Sequence, residues 1–173
     1  MKLLKIIKNN IVYILIVVFI FAVSRCFSIG LATGESMSPT IPSPSILLIN
    51  KLDKDLQRND IVVCKESGLK TITKRIIGLP GESVTITIDG KVFINNTLYE
   101  DEYGNISFPM YLSGDRSYPV VLGEDEYFVL GDNRNDSTDS RDPSVGKIKR
   151  NQIIGRAWVR IWPLSKIGIL RHQ

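Results

Sequence analysis

Residues 71–94 read TITKRIIGLPGESVTITIDGKVFI and carry a clear β-strand pattern. It holds three short segments rich in β-branched residues, Thr71–Ile77, Ser83–Ile88 and Lys91–Ile94, with glycine, proline or aspartate between them. Short segments of this composition, separated by turn residues, are typical of β-strands. The pair Asp89-Gly90 between the last two segments predicts a β-hairpin with a two-residue turn.

Four further segments carry the same strand pattern. They are Ser45–Lys51, Asp60–Lys65, Glu126–Leu130 and Ile154–Trp162. No helical periodicity is seen in the sequence after Gly30, so short strands make up this part of the chain. The sequence therefore predicts a mainly β domain over residues 29–173, with its sheet closed or folded over on itself.

Residues 97–120 interrupt the strand pattern. The segment is polar, and it contains Gly104, Pro109, Gly114 and Pro119 at intervals along its length. Because glycine and proline break regular structure, we predict that residues 97–120 form an insertion or a long loop in the β domain.

A long apolar run precedes the β domain. Residues 11–27 read IVYILIVVFIFAVSRCF, with no charge between Ile11 and Val23. With its flanks the run has about 17–20 residues, near the lower limit for a helix that crosses a bilayer. A cleaved signal peptide is the alternative, although Phe21–Arg25 makes a poor small-x-small cleavage site. We predict an uncleaved transmembrane helix within residues 1–28.

The positive charge of the chain is concentrated at its N-terminus. Lys2, Lys5 and Lys8 supply +3 of the net charge of +4, so the rest of the chain is close to neutral. A nucleic-acid-binding domain needs a basic face, so this neutrality argues against a nucleic-acid partner. Lysines precede the apolar run and only Arg25 stands at its far end, which predicts a cytoplasmic N-terminus and an extracytoplasmic β domain.

Cysteine and histidine are rare in this chain. Two cysteines, Cys26 and Cys64, are too few for a disulfide framework, and the ligand clusters of a zinc site are absent from the sequence. We therefore predict neither a metal site nor a cofactor. The one histidine, His172, is the second-to-last residue. A serine nucleophile in this chain would need another base, and lysine is the obvious replacement.

A serine with a glycine two residues before it lies just after the apolar run, in the segment Gly34-Glu35-Ser36-Met37-Ser38-Pro39-Thr40. Gly34 permits backbone conformations that a side chain would forbid, and Pro39 stiffens the exit. A rigid, open turn suits a nucleophile held at a membrane surface. Ser36 is the candidate nucleophile, and an ordinary loop is the alternative.

Lys74 is the candidate base. Successive side chains of a strand point to opposite faces, so either Lys74 or Arg75 faces inward if the sheet has two faces. An inward Lys74 among isoleucines would be desolvated, and burial lowers the pKa of a lysine because it disfavours the charged form. The neutral amine can then take a proton from a serine hydroxyl. A Lys-Arg pair on the surface is the alternative.

Residues 131–141, GDNRNDSTDSR, follow a predicted strand. A calcium-binding loop is excluded, because Arg134 stands at the third position of the loop, where a ligand should be, and the glycine and final glutamate are missing. Dense Asp, Asn and Ser side chains can instead stabilise a loop by bonding to its own backbone. An Asx-rich surface turn is the alternative.

Charged side chains of this loop can join it to the lysine strand. Arg75 and Arg141 can pair with Asp132 or Asp139 and so hold the loop against Lys74. A short hydroxyl such as that of Ser137 can then orient the lysine amine.

Together these segments resemble the bacterial type I signal peptidases, membrane-bound serine proteases with a Ser–Lys dyad. The resemblance covers the whole chain, because the apolar run, Ser36–Thr40, Lys74–Glu82 and Gly131–Arg141 occur in the order of the family's anchor and boxes. It implies a β-rich catalytic domain made of two antiparallel sheet regions. The short chain with a single span resembles the Gram-positive type.

The resemblance also implies residue roles. Ser36 is expected as the acylating nucleophile, Lys74 as the general base and Ser137 as the serine that positions the lysine. Met37 matches the methionine beside the substrate pocket. Gly34 stands where some members have a serine that donates to the oxyanion, so the backbone N–H of Ser36 remains and the second donor stays open. Structural support is expected from Arg75, Asp132, Asp139 and Arg141.

The implied substrates are preproteins, cut just beyond the apolar core of the signal peptide at small residues of the A-x-A type. The implied location is the cell membrane, near the secretion translocon. One rival is a Ser–Lys self-cleaving regulator, which the membrane span and the neutral β domain argue against. The other is a membrane-anchored scaffold without catalysis, which the presence of both Ser36 and Lys74 argues against.

Overall fold

A computed structural model describes residues 2–66, 70–104 and 119–170, with side chains from residue 10 onward. Within these ranges one α-helix, α1 (Lys2–Cys26), precedes twelve strands. The strands are β1 (Phe27–Ala32), β2 (Ser45–Asn50), β3 (Ile61–Lys65), β4 (Thr71–Gly78), β5 (Ser83–Ile86), β6 (Val92–Ile94), β7 (Thr97–Tyr99), β8 (Val120–Val121), β9 (Glu126–Leu130), β10 (Ile148–Lys149), β11 (Ile153–Trp162) and β12 (Gly168–Ile169). The predicted mainly β class is confirmed.

The described strands form two antiparallel sheets. The larger sheet has the order β1-β2-β11-β3-β4-β9-β10, with β12 paired to β11, and the smaller has the order β7-β6-β5-β8. This agrees with the expectation of two antiparallel sheet regions. The longest strand, β11, lies between β2 and β3. Gly155 permits this close approach, because a Cβ there would collide with the carbonyl oxygen of Asn50.

Hydrophobic packing covers both faces of the second half of β4. Ile77 belongs to a core cluster with Val84, Phe128 and Leu130, where the small sheet packs on the large one. Ile76, the adjacent residue, belongs to a second cluster on the opposite face. Lys74 and Arg75 are therefore both buried, at 3% and 0% exposure. The sequence pattern required only one of the two to face inward.

The predicted hairpin between β5 and β6 is present, but its turn is longer than the two residues predicted. β5 ends at Ile86 and β6 begins at Val92. Thr87 N–H donates to Lys91 O (3.0 Å), and Gly90 N–H donates back to Thr87 O (2.8 Å) with a φ of 84° at Gly90. The glycine takes the left-handed conformation as expected, within a wider turn.

Strands occupy both ends of residues 97–120, the segment predicted as an insertion or long loop. Thr97–Tyr99 is a strand paired with β6, and Val120 begins a strand paired with β5. Asn95 and Asn96 make the tight turn into β7 with positive φ values of 49° and 64°. Asparagine tolerates this conformation better than most residues, so the Asn-Asn pair was a readable hairpin signal. Residues 105–118 lie outside the described residues, and the loop prediction for them stays a prediction.

The N-terminal helix continues into the large sheet without a linker. α1 ends at Cys26 and β1 begins at Phe27. Lys51 N–H donates to Cys26 O (2.9 Å), and the Phe27 ring stacks on Trp158 with 5.9 Å between ring centroids. Among the residues that the structure describes, no helix combines the length and apolar character needed to cross a membrane. The predicted transmembrane helix is therefore not confirmed.

Candidate active site

Ser36 lies in a tight turn that follows β1. Ser38 N–H donates to Glu35 O (3.0 Å) and closes the turn. Gly34 has a φ of 92°, a conformation that favours glycine, and its N–H donates to the Ser43 hydroxyl (3.1 Å). The side chain of Met37 is buried in the core cluster beneath the turn. These contacts fix the backbone of the turn while Ser36 itself stays partly accessible.

The Lys74 amine reaches Ser36 from the centre of β4. Lys74 Nζ donates to Ser36 Oγ across 2.6 Å. Burial lowers the pKa of Lys74 from its ordinary value of 10.5, because the charged amine loses its hydration, while the nearby Asp139 carboxylate opposes this by favouring the charged form. The two atoms are thus in hydrogen-bond contact, and the amine is shifted toward its neutral form.

Asp139 is the centre of the loop formed by residues 131–141. Its buried carboxylate accepts from Gly131 N–H (2.9 Å) and from the Ser137 hydroxyl (2.7 Å). Arg141 binds both carboxylate oxygens, with Nε at 2.8 Å from Oδ1 and Nη2 at 2.8 Å from Oδ2. The Ser137 hydroxyl proton is therefore engaged by the Asp139 carboxylate. The expected contact from Ser137 to Lys74 stays a prediction.

Arg75 pairs with Asp132 on the face of β4 opposite Lys74. Arg75 Nε and Nη2 donate to the two carboxylate oxygens of Asp132 at 2.8 and 2.7 Å, and both side chains are fully buried. Arg75 Nη1 also donates to Asn59 O (2.7 Å). Of the pairings considered from the sequence, the structure has Arg75 with Asp132 and Arg141 with Asp139.

Gly131 and Asn133 join this loop to the serine turn, and the sequence reasoning assigned neither of them a role. A Cβ at position 131 would lie 2.5 Å from the Ser36 carbonyl oxygen and closer still to the Ser137 hydroxyl, so only glycine fits. Asn133 N–H donates to Ser36 O (3.0 Å), and its side-chain amide donates to Glu35 O (3.2 Å). Gly131 directly follows the buried strand β9, and this position was the one sign in the sequence that the chain makes a close approach there.

Arg134 was also missed as a residue of the site. The sequence reasoning used it only to exclude calcium, yet its side chain is fully buried and its Nε donates to Gly131 O (2.9 Å). It forms an ion pair with Asp101, which belongs to the segment predicted as a loop. The pairing joins residues far apart in the chain, and no local pattern reports it.

A cleft of about 410 Å³ opens onto Ser36 and Lys74. One wall is formed by residues 31–37 and the other by residues 70–74, with Asp136 and Thr138 between them. The strand β9 pairs with β4 from Arg75 onward, so the first half of β4 has β3 on one edge and the cleft on the other. Within the described ranges, no group of three or more His, Cys, Asp or Glu side chains is placed to hold a metal ion.

Ser36 and Lys74 have the arrangement that a serine hydrolase with a lysine base requires. A hydroxyl in hydrogen-bond contact with an amine of lowered pKa is a nucleophile next to its proton acceptor. Both groups face one open cleft, where a substrate carbonyl can approach the hydroxyl. The arrangement is suited to acyl transfer.

Comparison with known proteins gives the family. The family model described as "Signal peptidase, peptidase S26" matches residues 3–162 of this chain. The chain belongs to this family, and the resemblance found in the sequence is confirmed. Serine peptidase is thus the class of enzyme that both the site and the family indicate.

Several relatives are named signal peptidase I. The "Probable signal peptidase I-2" of Synechocystis sp. is 38% identical over 147 residues, which cover 79% of this chain and 64% of that protein. The chain thus spans less than two thirds of the length of this relative. "Signal peptidase I P" of Bacillus subtilis subsp. natto is 36% identical, with 78% of this chain and 76% of that protein covered. A crystal structure of a signal peptidase I from Enterococcus faecalis aligns with a TM-score of 0.48 and 30% identity, covering 59% of this chain and 96% of that one.

Proposed function

We propose that this chain is a membrane-bound serine endopeptidase that removes signal peptides from secreted preproteins. The observation that carries the proposal is the 2.6 Å contact between Lys74 Nζ and Ser36 Oγ at the base of an open cleft. Ser36 is the nucleophile and Lys74 is the general base. Membership of the signal peptidase family supports the choice of substrate.

The reaction follows from the positions of these two groups. Neutral Lys74 takes the hydroxyl proton as Ser36 Oγ attacks the scissile carbonyl carbon, and the same proton passes to the nitrogen of the departing mature chain. The signal peptide is left as an ester on Ser36. Lys74 then takes a proton from a water that attacks this ester, and the proton returns to Ser36 as the signal peptide leaves with a free carboxylate.

The oxyanion site is built on the backbone of the serine turn. We assign the Ser36 N–H as one donor to the developing negative charge on the substrate oxygen. The Gly34 N–H is bonded to the Ser43 hydroxyl, so it is turned away from this task. Lacking a side chain at position 34, the enzyme takes its second donor from a water or from another N–H of the turn.

The cleft suits an extended substrate with small side chains. Its two walls come from the end of β1 and from the first half of β4, so a peptide can add between them as a strand and use main-chain hydrogen bonds. Ala32, Met37, Ile41 and Ile72 line the cleft and supply apolar contacts. We propose that the residues at the cut are small, in the A-x-A pattern, on the strength of the family to which the chain belongs.

We also propose that α1 and the sheet beside it attach the enzyme to the lipid bilayer. The large apolar side chains of α1 from Ile11 to Phe21 are exposed, and so are Ile29, Leu31, Trp158, Trp162 and Ile169 on neighbouring strands. Large exposed apolar surfaces of soluble proteins are rare, and contact with lipid covers this one. Because lysines precede the apolar run, we infer a cytoplasmic N-terminus and a cleft on the outer side, where preproteins leave the translocon.

The test of the activity uses the full chain in detergent or vesicles with a purified preprotein. Wild type is expected to release the signal peptide, and Ser36→Ala is expected to release none. Equal release by the two proteins, or none from the wild type, would contradict the proposed activity. Membrane attachment is tested separately, by sedimentation of the wild type with vesicles at alkaline pH, and a protein that stays in the supernatant would contradict it.

A further inference from the structure

The segment that follows β7 reaches two buried arginines behind the active site. Asp101 forms an ion pair through Oδ2 with Nη1 of Arg134, and their side chains are 13% and 0% exposed. Tyr103 lies against Arg75, with the guanidinium carbon 3.7 Å from the centroid of the ring. Ion pairing and cation–π stacking thus hold both guanidinium groups from the same short segment.

Each of these arginines is next in sequence to a residue of the site. One neighbour, Lys74, belongs to the catalytic pair, and the other, Asn133, contacts Ser36. Arg75 follows Lys74, whose amine contacts Ser36 Oγ. Arg134 follows Asn133, whose N–H donates to the Ser36 carbonyl oxygen. Adjacent residues share a planar peptide unit, so a rotation of the backbone at either arginine also moves its neighbour. A displacement of the arginines is therefore passed to both the base and the nucleophile.

The segment is itself held in a fixed shape. Asp101 Oδ1 accepts from Gly104 N–H (3.0 Å) and Tyr103 N–H (3.3 Å), which closes a turn around the carboxylate. A Cβ at Gly104 would lie 2.8 Å from the Arg134 guanidinium carbon, so the glycine permits the close approach. The Tyr99 hydroxyl donates to the side chain of Asn59 and secures the other end.

We propose that Asp101 and Tyr103 are positioning residues for the catalytic pair, held in place by the turn that closes around the Asp101 carboxylate. Neither residue lines the cleft, so each is proposed to act through the arginine that it contacts. Asp101 supplies the negative charge that keeps the Arg134 guanidinium in place, and the ring of Tyr103 covers the guanidinium of Arg75. Without these contacts Asn133 and Lys74 lose their alignment with Ser36. The inference rests on the proposed peptidase activity, because the rate of cleavage is its readout.

The main experiment compares Asp101→Asn with Glu100→Gln in the full chain. Glu100 is an exposed neighbour, so its substitution is a matched loss of one carboxylate charge. Active sites are counted by the burst of acyl-enzyme, and kcat and KM are measured on a preprotein. For Asp101→Asn we expect kcat per active site to fall between about 10- and 100-fold with KM little changed, as misplacement of catalytic groups produces. A kcat equal to that of Glu100→Gln would overturn the proposal.

A second pair of variants keeps the test decisive if Asp101→Asn does not fold. Tyr103→Leu removes the ring over Arg75, and Tyr103→Phe keeps it. We expect Tyr103→Leu to lose kcat and Tyr103→Phe to retain it. Thermal unfolding is followed in parallel, because a merely structural role would lower the melting temperature and leave kcat per counted site unchanged. That result in Tyr103→Leu would also overturn the proposal.

The two possible failures give different results. If wild type releases no signal peptide, the proposed activity is wrong. If wild type is active, Ser36→Ala is inactive and the positioning variants match their controls, the activity stands and the positioning role is wrong.

Discussion

Lys74 and Arg75 are adjacent basic residues, and both are buried. Their hydrogen-bond partners differ, because Arg75 binds a carboxylate and Lys74 binds a hydroxyl. Arg75 donates two hydrogen bonds to the Asp132 carboxylate, inside a fully buried pair. Lys74 donates to the uncharged hydroxyl of Ser36, and the charge that most favours its ionised form is that of Asp139. One strand thus carries a neutralised cation on one face and a reactive amine on the other.

The difference follows from the chemistry of the two side chains. A guanidinium does not lose its proton in a protein, so a buried arginine needs a counterion and hydrogen-bond acceptors. A lysine can relieve the cost of burial by releasing its proton, which appears as a lowered pKa. Burial without a bonded carboxylate therefore fits the proposed role of the lysine as a base, whereas burial with one fits the expected structural role of the arginine.

The largest expected effect comes from replacing Lys74 with the other kind of cation, an arginine. Lys74→Arg keeps the charge but has no neutral form at working pH, so it should abolish peptide cleavage as completely as Lys74→Ala. We expect both variants to lose about 10⁴-fold or more in kcat, as loss of a catalytic base does in other serine hydrolases. Lys65→Arg, at the exposed end of β3, is the matched control. Substantial activity in Lys74→Arg would show that Lys74 is not the base.

A stability experiment tests the other face of β4. Asp132→Asn leaves the Arg75 charge buried without its carboxylate, which should lower the free energy of unfolding by about 3–5 kcal/mol. Denaturant unfolding followed by fluorescence measures it. Asp136→Asn, an exposed carboxylate of the same loop, should change stability far less. Equal effects of the two variants would mean that Arg75 does not depend on its partner.

The lowered pKa of Lys74 also makes the stability of the folded protein depend on pH. The pKa of Lys74 is lower in the folded protein than its ordinary 10.5, so the unfolded chain binds more protons between the two values. Stability due to this residue therefore rises with pH through the folded pKa and levels off above 10.5. Lys74→Met lacks this dependence. Its melting temperature should exceed that of wild type most at low pH, with a gap that narrows as the pH approaches 10.5. A gap independent of pH would contradict the lowered pKa.

The smallest effect concerns charges at the rim of the cleft. The Lys70 charge lowers the pKa of Lys74, and the Glu66 charge raises it. Lys70→Gln should move the rising limb of kcat/KM to higher pH, and Glu66→Gln should move it to lower pH. The salt bridge between these two residues is exposed on the lysine side, so it contributes about 0–1 kcal/mol to stability. Salt should diminish both shifts, and shifts in the same direction would contradict the electrostatic origin.

Strands that have a clear local pattern were predicted correctly from the sequence. All seven predicted segments are strands, because alternation of apolar residues and flanking turn residues are local signals. β1 was missed, since Phe27–Ala32 reads as a continuation of the apolar run. β8, β10 and β12 have two residues each, too few for any pattern, and their pairing partners determine them.

In the site, too, residues with a local motif could be predicted, and residues defined by long-range contacts could not. Ser36 and Lys74 could be singled out because each has a motif around it and because the only histidine is at the end of the chain. Asn133 contacts Glu35 across 98 positions of sequence, and Asp101 pairs with Arg134 across a segment that looked like a loop. Such contacts depend on how the chain packs, and a single sequence carries no local sign of them.

The place of β11 between β2 and β3 has a consequence for when the enzyme becomes active during its synthesis. Ser36 precedes β2, and Lys74 lies on β4, which pairs with β3. In the described sheet only β11 bridges these two halves, and it is made of residues 153–162. The ribosome must therefore deliver that strand before the sheet can bring serine and lysine together. A chain synthesised only as far as residue 152 therefore carries both Ser36 and Lys74 but lacks the strand that joins their two halves of the sheet.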